Sequence, residues 1–409
     1  LAVRGLHTEA EIQKFLFPSL DSLYDPFLMK GMECSVRRIL SAIDRGETLL
    51  VHGDYDVDGI TGTAVLSRTL QKLGAKFVTF LPVRKRDGYG VSRQAIALAK
   101  ERNVSLFITV DCGISAFREA KEAREAGIDV IVIDHHRIHG GVLPEAFEVM
   151  NPLQEDCAYP FKELSACGLA FKLAQALLGQ GAYELLDLVA LSCVCDLAPL
   201  VDENRVLVHF GLKRLEHRTQ LGLKNLCEVA GLRRRQMSTA DLGFILGPRI
   251  NASGRMSSPD TALKLLTTSD LTEAAELARA LDQENKGRQQ EERRLLKQAL
   301  QAVEREINFN RDRVIVVSGD GWHEGVIGIV AQRLVEHFTR PAVVIALDGA
   351  EGKGSGRSVK GFHLFDSFKH CEEVLEEFGG HESAAGLRIK RENLEIFRKK
   401  INEYGWAVS

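Results

Sequence analysis

Thr48-Leu-Leu-Val-His-Gly-Asp-Tyr-Asp-Val-Asp-Gly59 sets an apolar run directly before three aspartates at alternate positions, Asp54, Asp56 and Asp58. The run reads as a β-strand, and the apolar pattern from Ile60 to Leu73 behind it reads as a helix. Folding alone gives no reason to crowd like charges there, because packed carboxylates raise one another's pKa unless a cation neutralises them. Two more apolar runs end similarly: Leu106–Val110 in Asp111, and Asp129–Ile133 in Asp134-His135-His136. Three strands that each finish in oxygen or imidazole donors point to one hard-cation site at the carboxyl edge of a sheet.

Working outward, a strand at Lys76–Leu81 and helices near Ser92–Arg102 and Ser115–Ala126 complete a βαβ alternation, hence a mainly parallel sheet with right-handed crossovers. The continuous apolar run Val130-Ile131-Val132-Ile133 suits burial on both faces. The fold class expected is α/β with two α/β domains. A helical lead-in (1–45), broken by Pro18 and Pro26, precedes a larger catalytic domain (46–270) that turns mostly helical after about Gly168. A charged helix over 271–307, too poor in apolar surface for a core, connects it to a smaller domain (308–409). That domain is read as a strand at Arg313–Val317, a helix at Gly325–His337, a strand at Ala342–Leu347, then Gly-rich runs at Glu351–Arg357 and Gly379–Gly386. The active site is expected in the cleft between the two domains.

The totals bound the class. A length of 409 residues exceeds one core, and 45% apolar with 27% charged residues is the composition of a soluble globular protein. A net charge of -3 means that a polyanion must be met by local basic patches. Eight scattered cysteines without a CxxC pair suit a reducing cytoplasm and argue against disulfides or structural zinc. No secretory signal and no apolar run of about 18 residues is evident, so no membrane partner is expected. Leu1 in place of Met reads as a fragment or a processed chain.

An EF-hand reading of the aspartate triad fails, since Val65 stands at its twelfth position and a strand precedes the loop. Asp111 and Asp134 could each cap a following helix. His135 and His136 would point to opposite sides of an extended chain, one toward metal and one toward substrate. Asp196 ends an apolar helical run, where a carboxylate opposes the helix dipole. Basic candidates for phosphate contact are Arg84, in Arg84-Lys85-Arg86, and the Arg249, Asn251, Arg255 set in a Gly/Pro-bounded segment of low helix propensity. In the second domain Ser355-Gly356-Arg357 and Gly379-Gly380-His381 would bring backbone amides to phosphates, with Gly-rich hairpin turns as the plain alternative. His323 stands before a helix, and Arg233-Arg234-Arg235 reads as a solvated face.

Taken in order, His52–Gly59, Val110–Gly113, Asp134–His136, the Asp196 segment, Leu246–Met256, Gly321–Gly328, Ser355–Ser358 and Gly379–Gly386 resemble the DHH phosphoesterase superfamily, and within it the RecJ single-strand exonuclease family. The resemblance covers nearly the whole chain. It implies a two-ion centre of Mn2+ or Mg2+, with Asp58, Asp111, His135 and Asp196 on one ion and Asp54, Asp56 and bridging Asp111 on the other. His52 occupies a position that is a ligand in some superfamily members and varies among RecJ-like sequences. The catalytic set becomes Asp111, His135 and His136, the last on substrate phosphate. The substrate set becomes Arg84, Arg249, Asn251, Arg255, His323, Ser355, Arg357 and His381, Arg255 being preferred to Arg249 for the 5′-phosphate. The implied activity is 5′→3′ hydrolysis of single-stranded DNA to 5′-mononucleotides in repair and recombination, with a single-strand-binding protein and a helicase as partners in the cytoplasm. Rival readings are a phosphodiesterase for short RNA or cyclic dinucleotides, and a non-catalytic replication scaffold. RecJ-like chains usually continue into an OB-fold domain; the end of this sequence near Trp406 reads either as a fragment cut before that domain or as a chain with reduced strand affinity and processivity.

Overall fold

The structure, a computed structural model, describes residues 7–408 apart from Tyr89, Arg218 and 233–235, and leaves out the side chains of Ala10, Glu11, Arg84 and Lys85. The readings placed on Arg84's side chain and on 233–235 therefore lie outside the described residues. Two compact units emerge, 1–285 and 286–409.

In the first unit, α1 (Glu9–Leu16) and α2 (Met32–Asp44) lead into β1 (Thr48–Gly53), α3 (Val57–Lys72), β2 (Lys76–Phe80), the one-turn α4 (Arg84–Asp87), α5 (Arg93–Glu101), β3 (Val104–Val110), α6 (Phe117–Glu125), β4 (Asp129–Ile133) and β5 (Glu148–Met150). All pairs in this sheet are parallel, in the order β2-β1-β3-β4-β5. The connection reverses direction between β1 and β3, which is the switch point where the carboxyl ends of a doubly wound sheet leave a crevice. The last strand, β5, has only three residues and carries no periodic signal of its own.

A helical layer follows: α7 (Ala166–Leu178), α8 (Leu186–Cys195), α9 (Asp202–His217), α10 (Leu221–Val229), α11 (Thr239–Asp241), a π-helical turn at Leu242–Leu246, α12 (Gly247–Met256), α13 (Asp260–Thr267) and α14 (Leu271–Glu306). The apolar faces of α3, α7 and α8 close one side of the sheet in a single core. One window in Ala166–Cys195 is long and apolar enough to cross a membrane, which corrects the expectation of no such run. In the fold it is α7 and α8 separated by a 3-10 segment at Gly179–Leu185, and its leucines and alanines are core residues. Inside this layer Lys172, with no exposed side-chain surface, is paired with Glu203 at 3.1 Å, and Glu203 also takes the Tyr159 hydroxyl at 2.5 Å and the Tyr24 amide at 2.9 Å. Those bonds tie the N-terminal segment onto the core, and a buried pair of this kind is costly to break.

The second unit holds β6 (Ile315–Asp320), α15 (Ile327–Phe338), β7 (Ala342–Asp348), β8 (Glu351–Arg357), α16 (Leu364–His370), β9 (Leu375–Gly380), β10 (Ala384–Lys390) and α17 (Leu394–Ala407). Its sheet runs β6-β7-β8-β10-β9, with β6 and β7 parallel and the rest antiparallel. The Gly-rich run at Glu351–Arg357 is thus a central strand, paired on both edges, rather than a loop. Its glycines are there for packing: a Cβ on Gly354 would lie 2.8 Å from Leu387 and one on Gly356 would lie 2.8 Å from Leu364.

Candidate metal centre

The peptide after β1 turns sharply, and Asp56 caps α3, its Oδ1 accepting from the amides of Asp58 (2.9 Å) and Gly59 (3.2 Å). Asp58 lies in the first turn of α3 and points at the start of α7. It accepts from the amides of Ala166 and Cys167, both at 2.8 Å, and from the Ser192 hydroxyl at 2.6 Å. The positive end of α7 therefore holds this carboxylate in one orientation. At the end of β3, Asp111 has a left-handed backbone (φ 63), a conformation Asp adopts more readily than most residues. At the end of β4, Asp134 accepts from the amides of Ile114 (2.9 Å) and His136 (3.0 Å) and meets His136 Nδ1 at 2.7 Å.

These turns gather the acids. Ligand atoms of Asp54, Asp56 and Asp111 fall within 4.8 Å of one another, as do those of Asp58, His135 and Asp196, and those of Asp111, His135 and His136. His135 Nε2 stands 3.3 Å from Asp111 Oδ1 and 3.7 Å from Asp58 Oδ2, and its Nδ1 stands 3.9 Å from Asp196. Asp111 thus lies between the two sets, the place of a bridge. An oxygen-rich set with imidazole, at a buried crevice, fits Mn2+ or Mg2+ better than zinc. His52 belongs to none of the sets: it is buried on β1, stacked 5.4 Å from Phe80, and burial lowers its pKa to about 4.

The structure places the substrate candidates unevenly. Gly247–Met256 forms α12 despite its Gly/Pro content, because that helix must pack closely: a Cβ on Gly254 would lie 2.2 Å from the Tyr55 carbonyl. Asn251 on α12 accepts the Val57 amide at 3.1 Å, so it anchors the aspartate loop. Arg249 is engaged by Asp282 (3.0 Å) and the Ile245 carbonyl (2.7 Å), so a phosphate there must share or exchange that pairing. Arg255 lies half-buried in the last turn of α12. His323 Nδ1 accepts the Gly325 amide at 3.1 Å ahead of α15. The Ser355, Gly356 and Arg357 amides lie in the β8 ladders, which corrects the notion of a phosphate-binding amide loop there. What remains for recognition are side chains, with Arg357 Nη1 3.1 Å from Ser355 Oγ. His381 is exposed at the tip of the β9–β10 hairpin. Sequence reasoning did not find Ser192 or the role of α7. The Ser165 N-cap, whose hydroxyl accepts the Gly168 amide, was the available signal for that helix start.

Comparison with known proteins settles the lineage. Residues 48–193 match the DHH family, N-terminal domain, and 311–406 match the DHHA1 domain. The single-stranded-DNA-specific exonuclease RecJ of Escherichia coli (strain K12) is 36% identical over 98% of this chain and 73% of its own length. The chain belongs to the RecJ family. The Bacillus subtilis (strain 168) RecJ is 45% identical over 98% of the chain, and the chain spans 51% of that relative's length. Among solved structures, an exonuclease RecJ bound to manganese matches with TM-score 0.83 and 34% identity, over 95% of this chain and 96% of that one. RecJ from Thermus thermophilus in complex with Mn2+ matches with TM-score 0.84 and 32% identity, over 97% of this chain and 57% of that one.

The electrostatics of this RecJ-family site are those of crowded acids. Burial, then the charges of Asp58, Asp56 and Asp54, push Asp111 well above the usual carboxylate range, and burial with Asp58 raises Asp56. Burial, then Asp58 and Asp56, bring Asp196 up to about 8. Burial works against the charge on His136, yet the Asp134 hydrogen bond and charge hold it up at about 9. A carboxyl whose folded pKa exceeds its unfolded value contributes stability at low pH that is lost as pH rises through the folded pKa. The metal-free protein should therefore lose thermal stability from about pH 4, where the unfolded Asp196 carboxyl ionises, to about pH 9, where the folded His136 gives up its proton. Saturating Mn2+ should abolish that loss, adding about 2.7 kcal/mol at a hundredfold excess over Kd. Thermal unfolding with and without Mn2+ checks this, and a metal-free Tm that climbs across the window contradicts it.

Proposed function

We propose that this chain is the catalytic part of a metal-dependent 5′→3′ exonuclease that hydrolyses single-stranded DNA to 5′-mononucleotides in repair and recombination. The observation that carries the reading is the convergence of Asp54, Asp56, Asp58, Asp111, His135 and Asp196 at the switch point of the parallel sheet. Asp58, Asp111, His135 and Asp196 would hold one Mn2+ or Mg2+, and Asp54, Asp56 and Asp111 the other. When bound, the ions supply Lewis acidity for attack by water on a phosphodiester. Asp111, whose carboxylate lies within 4.8 Å of those of Asp54 and Asp56 and 3.3 Å from His135, would be shared between the two. Asp134 orients His136, whose Nδ1 lies 4.0 Å from Asp111, so a cationic imidazole faces the scissile phosphate. Arg84, Arg249, Asn251 and Arg255 in the first unit, with His323, Ser355, Arg357 and His381 in the second, are assigned to the strand and its 5′ end. The eight thiols remain free, which suits a reducing cytoplasm where single-strand-binding protein and a helicase would be partners.

Digestion of 5′- and 3′-end-labelled single strands with Mn2+, Mg2+ or chelator tests the activity. Mononucleotides released from the 5′ end, only with metal, are expected; release from the 3′ end, or activity in chelator, refutes the reading. Arg357→Ala is expected to lower kcat/KM on 5′-phosphorylated strands roughly tenfold, the scale of a lost charge-assisted contact, while Mn2+ binding is kept. An unchanged kcat/KM would remove Arg357 from the strand contacts.

A further inference from the structure

The two oxygens of Asp58 have different surroundings. Oδ1 accepts from the Cys167 amide at 2.8 Å and from the Ser192 hydroxyl at 2.6 Å. A carboxylate oxygen offers about two lone-pair sites, so Oδ1 is filled from within the protein. Oδ2 accepts from the Ala166 amide at 2.8 Å and lies 3.7 Å from His135 Nε2, on the side of the Asp58, His135 and Asp196 group. It is the oxygen with capacity left, and it faces the other proposed ligands of that ion.

The Ser192 hydroxyl is itself held. Its oxygen lies 2.7 Å from that of Ser165, and both serines are fully buried. As a metal ligand Asp58 is a carboxylate, which only accepts, so Ser192 donates to Asp58 and Ser165 donates to Ser192. Ser165 in turn accepts the Gly168 amide at 3.2 Å as the N-cap of α7. The chain from Gly168 through Ser165 and Ser192 to Asp58 runs one way, and each bond polarises the next. The Ser192 carbonyl also accepts the Asp196 amide at 2.9 Å. One residue outside the ligand set thus holds the side chain of Asp58 and the backbone of Asp196.

We infer that Ser192, backed by Ser165, is a positioning residue that restricts Asp58 to one-oxygen ligation and so sets the ion preference of the centre; this rests on the two-ion reading proposed above. The consequence is selection by size. Mg2+ takes a near-octahedral shell of short bonds, whereas Ca2+ fills about six to eight positions and often takes a carboxylate through both oxygens. A Ca2+ ion reaching for Oδ1 has to displace the hydroxyl or the amide, leaving a buried donor unpaired. A small octahedral ion, Mg2+ or Mn2+, is served by Oδ2 alone and displaces nothing. The hydroxyl of Ser192 therefore acts against Ca2+ rather than for any one small ion.

The test is equilibrium competition on the whole chain, with bound Mn2+ read from the loss of the free-ion EPR signal and Ca2+ added as competitor. Wild type and Ser192→Thr, which keeps the hydroxyl, are expected to bind Mn2+ in strong preference to Ca2+. In Ser192→Ala the ratio of Ca2+ to Mn2+ dissociation constants should fall roughly tenfold, the scale of one buried hydrogen bond. Ser165→Ala should move the ratio the same way by a smaller factor, since Ser192 keeps its proton but loses the donor that orients it. It also carries the test alone if Ser192→Ala does not fold, and a wild-type ratio there would then refute the inference. Ca2+ inhibition of Mn2+-dependent hydrolysis should strengthen in the same order. An unchanged ratio in Ser192→Ala, or an equal weakening of both ions, makes the hydroxyl a packing group and overturns the inference while the metal centre stands. A wild type that binds no Mn2+ removes the centre itself, and the role of Ser192 with it.

Discussion

Asp111→Asn is expected to fold, to melt at a higher temperature than wild type when metal-free, and to lose roughly a thousandfold or more in hydrolysis. The three parts have separate causes. Asn tolerates the left-handed φ 63 of this position and keeps the shape of the side chain, so the turn after β3 survives. Removing one acid from a buried set that includes Asp54, Asp56 and Asp58 relieves repulsion, which raises metal-free stability. The rate falls because a shared ligand is lost: Lewis-acid stabilisation is worth several kcal/mol, at about 1.4 kcal/mol per decade. Asp111→Ala adds a backbone penalty of roughly 1–2 kcal/mol and so blurs the comparison. Thermal unfolding and single-strand hydrolysis, measured on the same preparation, check both signs. A variant that keeps full Mn2+-dependent activity would remove Asp111 from the bridge.

Gly254→Ala should be nearly as damaging from outside the ligand set. Its Cβ would sit 2.2 Å from the Tyr55 carbonyl, which is backbone between Asp54 and Asp56 and cannot rotate away. Either α12 moves off, breaking the Asn251 bond to Val57, or the aspartate loop shifts. Displacing ligands by about an ångström costs on the order of a hundredfold in rate. Mn2+ titration should show weakened affinity with secondary structure retained by circular dichroism. Wild-type affinity would mean that the loop holds its shape without α12.

The residues that proved easiest to place are those where one strong pattern decides. β1, β3 and β4 are continuous apolar runs that stop at charged residues, so both their paths and the positions of Asp54, Asp111 and His135 could be read directly. The Gly-rich β8 was opaque for the opposite reason. Glycine weakens strands on its own, and only Leu364 and Leu387, packed against Gly356 and Gly354, explain why it belongs there. The same holds for α12, whose glycine and proline argue against a helix until Tyr55 is seen against Gly254. The clamp on Asp58 by Ala166, Cys167 and Ser192 joins groups more than a hundred residues apart in the chain, and no local spacing announces it. The identity of the candidate ligands was therefore local information, and their orientation was not.

Counting Mn2+ bound per chain at equilibrium, in wild type and in Asp111→Asn, tests the central claim most directly. Two ions in the wild type and fewer than two at the same free Mn2+ in the variant is the predicted result. A single ion in the wild type, or an undiminished pair in the variant, would contradict a centre built around Asp111.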